Sequence, residues 1–225
     1  MNAEPIFSYL RDLSAHNNRE WFNANRSRYE AVRQRFEELV QQVIARIATF
    51  DESVAHLQPR DCTYRIYRDT RFSPDKTPYK DHLGAYINPR GKNAQHCGYY
   101  LHLQPGASLL AGGSWCPPPP LLRALRQAVL DNLDEYRSIV EDPAFTRYYP
   151  LVGETFLKTA PKGFPKDHPY LRYIQCKEYT VQCPIDDSLV SQPDFLDHVE
   201  QAFRQLKRFS DFVNYTIDDF EDDLY

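Results

Sequence analysis

The sequence predicts an α+β fold, with long amphipathic helices packed on a mainly antiparallel sheet in a single domain spanning residues 1–225. Three observations predict it. Stretches at 27–50, 121–140 and 194–215 carry apolar residues at helical spacing. Between residues 82 and 115, three short runs rich in aromatic and β-branched residues are divided by glycine-bearing turns. No internal repeat, low-complexity tract or linker interrupts the chain.

Residues 4–15 form the first expected helix, with Ile6, Phe7, Leu10 and Leu13 on one face. Asn17 and Asn18 give a capping signal, and Arg19-Glu20-Trp21-Phe22 opens a second helix. From Ser27 to Phe50 the helical pattern is strong: Phe22, Tyr29, Phe36 and Val43 recur every seven residues. Residues 51–60 read as a loop. Cys62 to Arg68 alternates as a strand would, which places Arg65 and Arg68 on opposite faces. Residues 70–80, with two prolines, form a loop.

A meander follows: a strand at His82–Asn88, a turn at residues 89–93, a strand at Gly98–Gln104, a turn at Pro105-Gly106 and a strand at Ser108–Trp115. Gly112-Gly113 signals a bulge or a close backbone approach. Four prolines, Pro117 to Pro120, lead into a long helix at Leu121–Val140, and Asp142-Pro143 starts one more helical turn. Residues 150–174 are irregular. Gln175–Ile185 is read as a strand, and the last helix runs from Pro193-Asp194 to about Tyr215. The acidic run Asp218, Asp219, Glu221, Asp222 and Asp223 is expected to fray over residues 218–225.

The composition narrows the function classes. The net charge of −4 counts against a dedicated nucleic-acid binder, though it allows a local basic patch. Five cysteines without CxxC spacing point to free thiols. The N-terminus lacks an apolar h-region and no segment is long and apolar enough for a membrane span, so a cytoplasmic protein is expected. Glycine-rich phosphate loops, HExxH and GxSxG are absent. The seven histidines have no compact ligand spacing; His82 and His102 could meet across the sheet, with His96 in a nearby loop. No metal and no cofactor is expected.

Residues 65–80, RIYRDTRFSPDKTPYK, hold five cations against two carboxylates. Guanidinium groups offer forked donors suited to phosphate and carboxylate oxygens. The candidate ligand-binding set is Arg65, Arg68, Arg71, Lys76 and Tyr79, the last supplying an orientable hydroxyl. Asp69 is the candidate catalytic residue, as a general base, although neighbouring arginines should depress its pKa; organiser of the arginines is its other role. The expected ligand is a small anion. The alternative is a non-catalytic interaction module, with RNA, a nucleotide or a protein as partner, in which the same residues staple the loop to the fold.

The pattern Arg65-x-x-Arg68-Asp69-x-Arg71-Phe72, followed by Asp75-Lys76 and Tyr79, resembles the signature of the DUF2461 family. The stretches HNNREWFNANRSRYE and PKGFPKDHPYLRYIQCK also resemble blocks of that family. The resemblance implies one α+β domain of about this length from a mainly bacterial group. It implies no activity and no cofactor.

Overall fold

The structure, a computed structural model, describes residues 2–222. Four antiparallel strands pair in the order β1 (Leu83–Ile87), β2 (Tyr99–Leu103), β3 (Leu109–Ser114) and β4 (Tyr179–Pro184). The α+β class and the meander are as expected. The helices and loops group into two compact units.

The first unit comprises Met1–Lys92, Tyr100–Leu110 and Pro184–Gln201. Helix α1 (Glu4–Ala15) buries Ile6, Phe7, Tyr9, Leu10 and Leu13. Helix α2 (Arg19–Ala24) starts at Asn18, whose Oδ1 accepts the Trp21 N–H at 2.9 Å; this satisfies one of the orphan donors of the first turn. Helix α3 (Arg26–Ile47) buries Val32, Phe36, Leu39, Val43 and Ile47, the stripe expected from its periodicity. Arg28 joins α3 to α1 through Asp12 at 2.7 Å and lies over the Tyr9 ring.

Two expectations in this unit change. The loop at 51–60 contains a 3-10 turn, Glu52–Val54, and ends in α4 (Pro59–Cys62). Pro59 leads that turn because its missing N–H would have no helical partner there. The expected strand at 62–68 is reduced to isolated antiparallel bridges, Thr63 to Ala85 and Tyr67 to Tyr79. Cys62 and Ile66 are buried while Tyr64, expected on the same face, is exposed, so strict alternation fails. On β2, Tyr99, Leu101 and Leu103 are buried while Tyr100 and His102 stand on the half-buried face.

The second unit comprises Asn93–Tyr99, Ala111–Cys183 and Ala202–Tyr225. The helix expected at 121–140 is two helices, α5 (Pro119–Asp131) and α6 (Leu133–Val140). Asn132 divides them: its backbone leaves the helical region, and its Nδ2 donates back to the Ala128 carbonyl at 3.1 Å. Helix α7 (Pro143–Thr146) is capped by Asp142, as the Asp-Pro pair predicts. Helix α8 (Leu171–Gln175) takes residues expected to be irregular, and β4 is shorter than read. After α9 (Asp187–Val190) of the first unit, α10 (Phe195–Asp222) runs past Tyr215. The acidic run is helical as far as Asp222, and Asp218 accepts from His96; residues 223–225 lie outside the described residues.

All five cysteines are free thiols, four of them buried. Among the described residues, no helix is long and apolar enough to cross a membrane.

The Gly112-Gly113 signal reports a real approach within the second unit. Gly113 has φ +115°, and a Cβ there would stand 2.1 Å from the Tyr179 carbonyl oxygen of β4. A Cβ on Gly112 would stand 2.7 Å from the Gly98 carbonyl oxygen. Gly113→Ala therefore combines a left-handed backbone with a clash against main chain, and should lower stability by about 3 kcal/mol or more. Urea denaturation would check this; a loss below about 1 kcal/mol would contradict the packing described.

Candidate functional site

The segment 63–80 doubles back on itself in the first unit. Arg68 N–H donates to Pro78 O at 2.9 Å and Lys80 N–H to Ile66 O at 2.8 Å. Its closing end is fixed to the helices. The Asn17 carboxamide accepts the Tyr79 N–H at 3.1 Å and donates to the Tyr79 carbonyl at 2.9 Å. Tyr79 stacks on Phe22 with ring centroids 4.0 Å apart and planes 12° apart. Tyr67 completes the aromatic cluster, 5.9 Å from Phe22. Thus Asn18 serves as the cap, and Asn17 reads the motif's backbone.

The charged side chains within the turn face one another. Arg68 binds the carboxylate of Asp75 and the hydroxyl of Thr77. Asp69 receives Arg71 Nε at 3.0 Å and Nη2 at 2.6 Å, as well as the Arg71 backbone N–H. Lys76 Nζ donates to the Thr70 carbonyl at 2.8 Å. Arg71's side-chain and backbone donors pull the Asp69 carboxyl down to about 2. Asp75 is also held at about 2, first by the Thr77 backbone N–H and then by Arg68. A carboxylate so stabilised is a poor base near neutral pH, so Asp69 is an organiser of Arg71.

Tyr79 is 4 % exposed, a core ring whose backbone is gripped on both sides. Of the five candidate ligand residues, Arg68, Arg71 and Lys76 close the loop and Tyr79 anchors it. Arg65 is exposed and has no ion pair among the described residues, although its charge helps to lower the Asp69 carboxyl.

Beside Arg65, two lysines flank one ring. Lys80 Nζ is 5.2 Å and Lys92 Nζ 5.9 Å from the centroid of Tyr64, which is itself partly exposed. Lys92 also donates to the Thr63 carbonyl at 2.8 Å. Neither lysine pairs with a carboxylate among the described residues. Burial, and then the nearby Arg65, depress the Lys80 ammonium below its ordinary value. Two lysines thus flank Tyr64, with Arg65 close enough for its charge to act on Lys80, and none of the three has an ion pair among the described residues. Sequence reading missed Lys92 because it lies outside the motif, in the 89–93 turn; nothing in linear spacing places that turn against residue 64.

Under Tyr64, the outer face of β2 carries a directed hydrogen-bond chain. Tyr64 meets Tyr100 edge-on at 6.5 Å. Tyr100 OH is 2.9 Å from His102 Nδ1, His102 Nε2 is 2.9 Å from Gln104 Oε1, and Gln104 Nε2 donates to Asp81 Oδ2 at 3.0 Å. The amide fixes the polarity. Gln104 gives its N–H to Asp81, so its oxygen accepts from His102 Nε2–H, which leaves Nδ1 to accept the Tyr100 proton. Residues 100, 102 and 104 share this face because strand side chains alternate. His82 stacks on His102 with centroids 4.4 Å apart, so the expected meeting of these histidines occurs. His96 is not with them: it is buried in the second unit, its Nε2 2.9 Å from Asp218 Oδ1. Glu221 lies near that pair, and the three donor atoms fall within 4.8 Å of one another.

Residues 5–212 match the family described as "Conserved hypothetical protein (DUF2461)". No curated protein and no solved structure matches the chain.

The chain of hydrogen bonds sets a pH dependence. Burial lowers the His102 pKa from its ordinary 6.5, and the stacked His82 works in the same direction against the opposing pull of Gln104 and Asp81. The folded state therefore favours neutral His102, while the unfolded chain takes up a proton first as pH falls. This contribution is fully present above about 6.5 and is lost as pH drops through the depressed folded value. The wild-type melting temperature should fall more between pH 7 and pH 5 than that of His102→Gln. Equal falls in circular-dichroism melts would remove His102 from the balance.

Proposed function

As the chain belongs to the DUF2461 family, whose description assigns no activity, we propose from the chemistry of the site that the patch around Tyr64 binds a small anion through a phosphate or carboxylate group. The observation that carries the reading is the pair Lys80 and Lys92 on one ring, with the charge of Arg65 close enough to act on Lys80, and with no carboxylate ion pair to any of the three among the described residues. Like charges held together repel, and an anion between them relieves that repulsion. Arg65 supplies a fork for two oxygens, the lysines supply point charges, and Tyr64 offers a face on which a planar ligand can rest. Arg68, Arg71, Lys76 and Asp69 serve this site indirectly, by giving the loop one shape. The Tyr100 hydroxyl is committed to His102, and its pKa is pushed up to about 12 by burial; this supports a binding role more than proton transfer by Tyr100.

One observation favours the interaction-module alternative. Phe72, at the tip of the ion-paired turn, is 95 % exposed, with the Arg71 guanidinium 5.9 Å from its ring centre. A rigid loop that displays an aromatic ring and a cation suits stacking on a base or docking on a protein.

The two readings separate by titration. Inorganic phosphate and citrate, followed by NMR chemical-shift changes, should perturb Tyr64 and its neighbours at low salt. The double variant Arg65→Gln/Lys80→Gln should lose about tenfold or more in affinity at an unchanged melting temperature. Arg68→Ala should instead cost about 1 kcal/mol of stability, because Asp75 and Thr77 lose their shared donor. No saturable shift with either anion would end the anion reading. Retention of single-stranded RNA on filters at low salt, lost in Phe72→Ala, would establish the alternative.

A further inference from the structure

The third family-like block, residues 161–177, builds a different feature, wholly within the second unit. A cavity of about 220 Å³ lies among Tyr136 and Val140 of α6, Val152 and Phe156 of the following segment, and Arg172 and Tyr173 of α8. Its lining is mostly aromatic and aliphatic. Tyr136 is 1 % exposed, and its hydroxyl is buried with no hydrogen-bond partner among the described residues. Buried hydroxyls are almost always paired, so one left open on a cavity-lining residue points to a partner from outside.

Arg172 has the complementary property. Its guanidinium lies 3.4 Å from the centre of the Phe156 ring and pairs with no carboxylate among the described residues. The carboxylate bound to Tyr173 of the cavity wall is already neutralised. Glu141 is bound by Arg137 through two bonds, at 3.0 and 2.9 Å, and accepts the Tyr173 hydroxyl at 2.5 Å. Tyr173 is held flat against Tyr170, with planes 7° apart, and Arg137 covers Tyr170. The wall is therefore rigid, and the positive charge at Arg172 stays uncancelled.

We infer that this cavity binds a small aromatic acid, its ring among the aromatic side chains and its carboxylate oxygens shared between the Arg172 guanidinium and the Tyr136 hydroxyl. The volume is below the ~300–1,000 Å³ of pockets for drug-sized ligands, which fits one or two fused rings. A planar ring suits the apolar walls, and a carboxylate suits the guanidinium fork. This inference is independent of the site around Tyr64.

The test titrates the full chain with indole-3-acetate and with benzoate, using calorimetry and saturation-transfer NMR. Uncharged indole and inorganic phosphate are the probes lacking the charge or the ring. Saturable binding of at least one acid is expected, with indole and phosphate weaker by about tenfold or more. Arg172→Ala, an exposed position, should weaken the acid by about tenfold. Tyr136→Phe should weaken it severalfold and leave the ligand-free melting temperature unchanged or higher, since it removes an unpaired hydroxyl without opening space. The inference is overturned if neither acid binds saturably. It is equally overturned if Arg172→Ala binds as the wild type does, which decides the matter even should Tyr136→Phe fail to fold.

Discussion

The Asn17 carboxamide holds both backbone groups of Tyr79, and the arrangement of the motif depends on that grip. An amide side chain that both donates to and accepts from one residue imitates a neighbouring strand. It fixes where the segment 63–80 ends and which way Tyr79 turns. Two such bonds contribute about 0.5–1.5 kcal/mol each, and the Phe22 stack adds a similar amount. The exposed ion pairs of the loop contribute about 0–1 kcal/mol each. The anchor of the segment is thus the neutral contact to the N-terminal helices, and the ion pairs shape the loop beyond it. Two of the three family-like blocks meet at this one contact.

With the anchor set, the ion pairs decide which charges remain available. Asp75 takes Arg68, Asp69 takes Arg71, and a carbonyl takes Lys76. The count of cations in the motif therefore overstates its capacity to hold a ligand. What matters is the residue left over when each carboxylate has chosen its partner. Arg65 has no ion pair among the described residues, and Lys80, on which its charge acts, lies with Lys92 against Tyr64.

Much of the fold was legible in the sequence because local periodicity encodes it. The stripe of α3, the meander with its Gly112-Gly113 approach, and the Asp142-Pro143 cap follow from spacing and from single-residue chemistry. The strand expected at 62–68 failed because alternation records preference for an extended backbone, while partners across the sheet decide whether it pairs. The break at Asn132 was hidden because the apolar stripe continues through it, from Val129 to Tyr136. The site was legible only as a neighbourhood. Sequence set Arg65 and Arg68 on opposite faces of a strand that the structure reduces to isolated bridges, and it cast Asp69 as a base or as an organiser, whose carboxylate is bound to Arg71. It had no means of seeing that Tyr79 would be swallowed by Phe22, or that Lys92 would reach back to Tyr64. Those are contacts between residues 57 and 28 positions apart, and they depend on the closed fold.

The free cations in the two units share a physical device. Lys80 lies on Tyr64, and Arg172 lies on Phe156. A cation resting on a ring is steadied by the ring's quadrupole, by about 0.5–1 kcal/mol when exposed, without any loss of its net charge. A carboxylate partner would steady it as well but would cancel the field it projects. The same chain uses carboxylates for Arg68, Arg71 and Arg137, which hold backbone or neighbouring rings in shape. Arg28, Arg71 and Arg137 have both kinds of partner, a ring and a carboxylate. Lys80 and Arg172 lie on rings with no carboxylate ion pair among the described residues, so they keep an uncancelled charge beside a flat apolar surface. A planar anion satisfies both halves of that surface together, because its charge meets the cation while its ring meets the aromatic face.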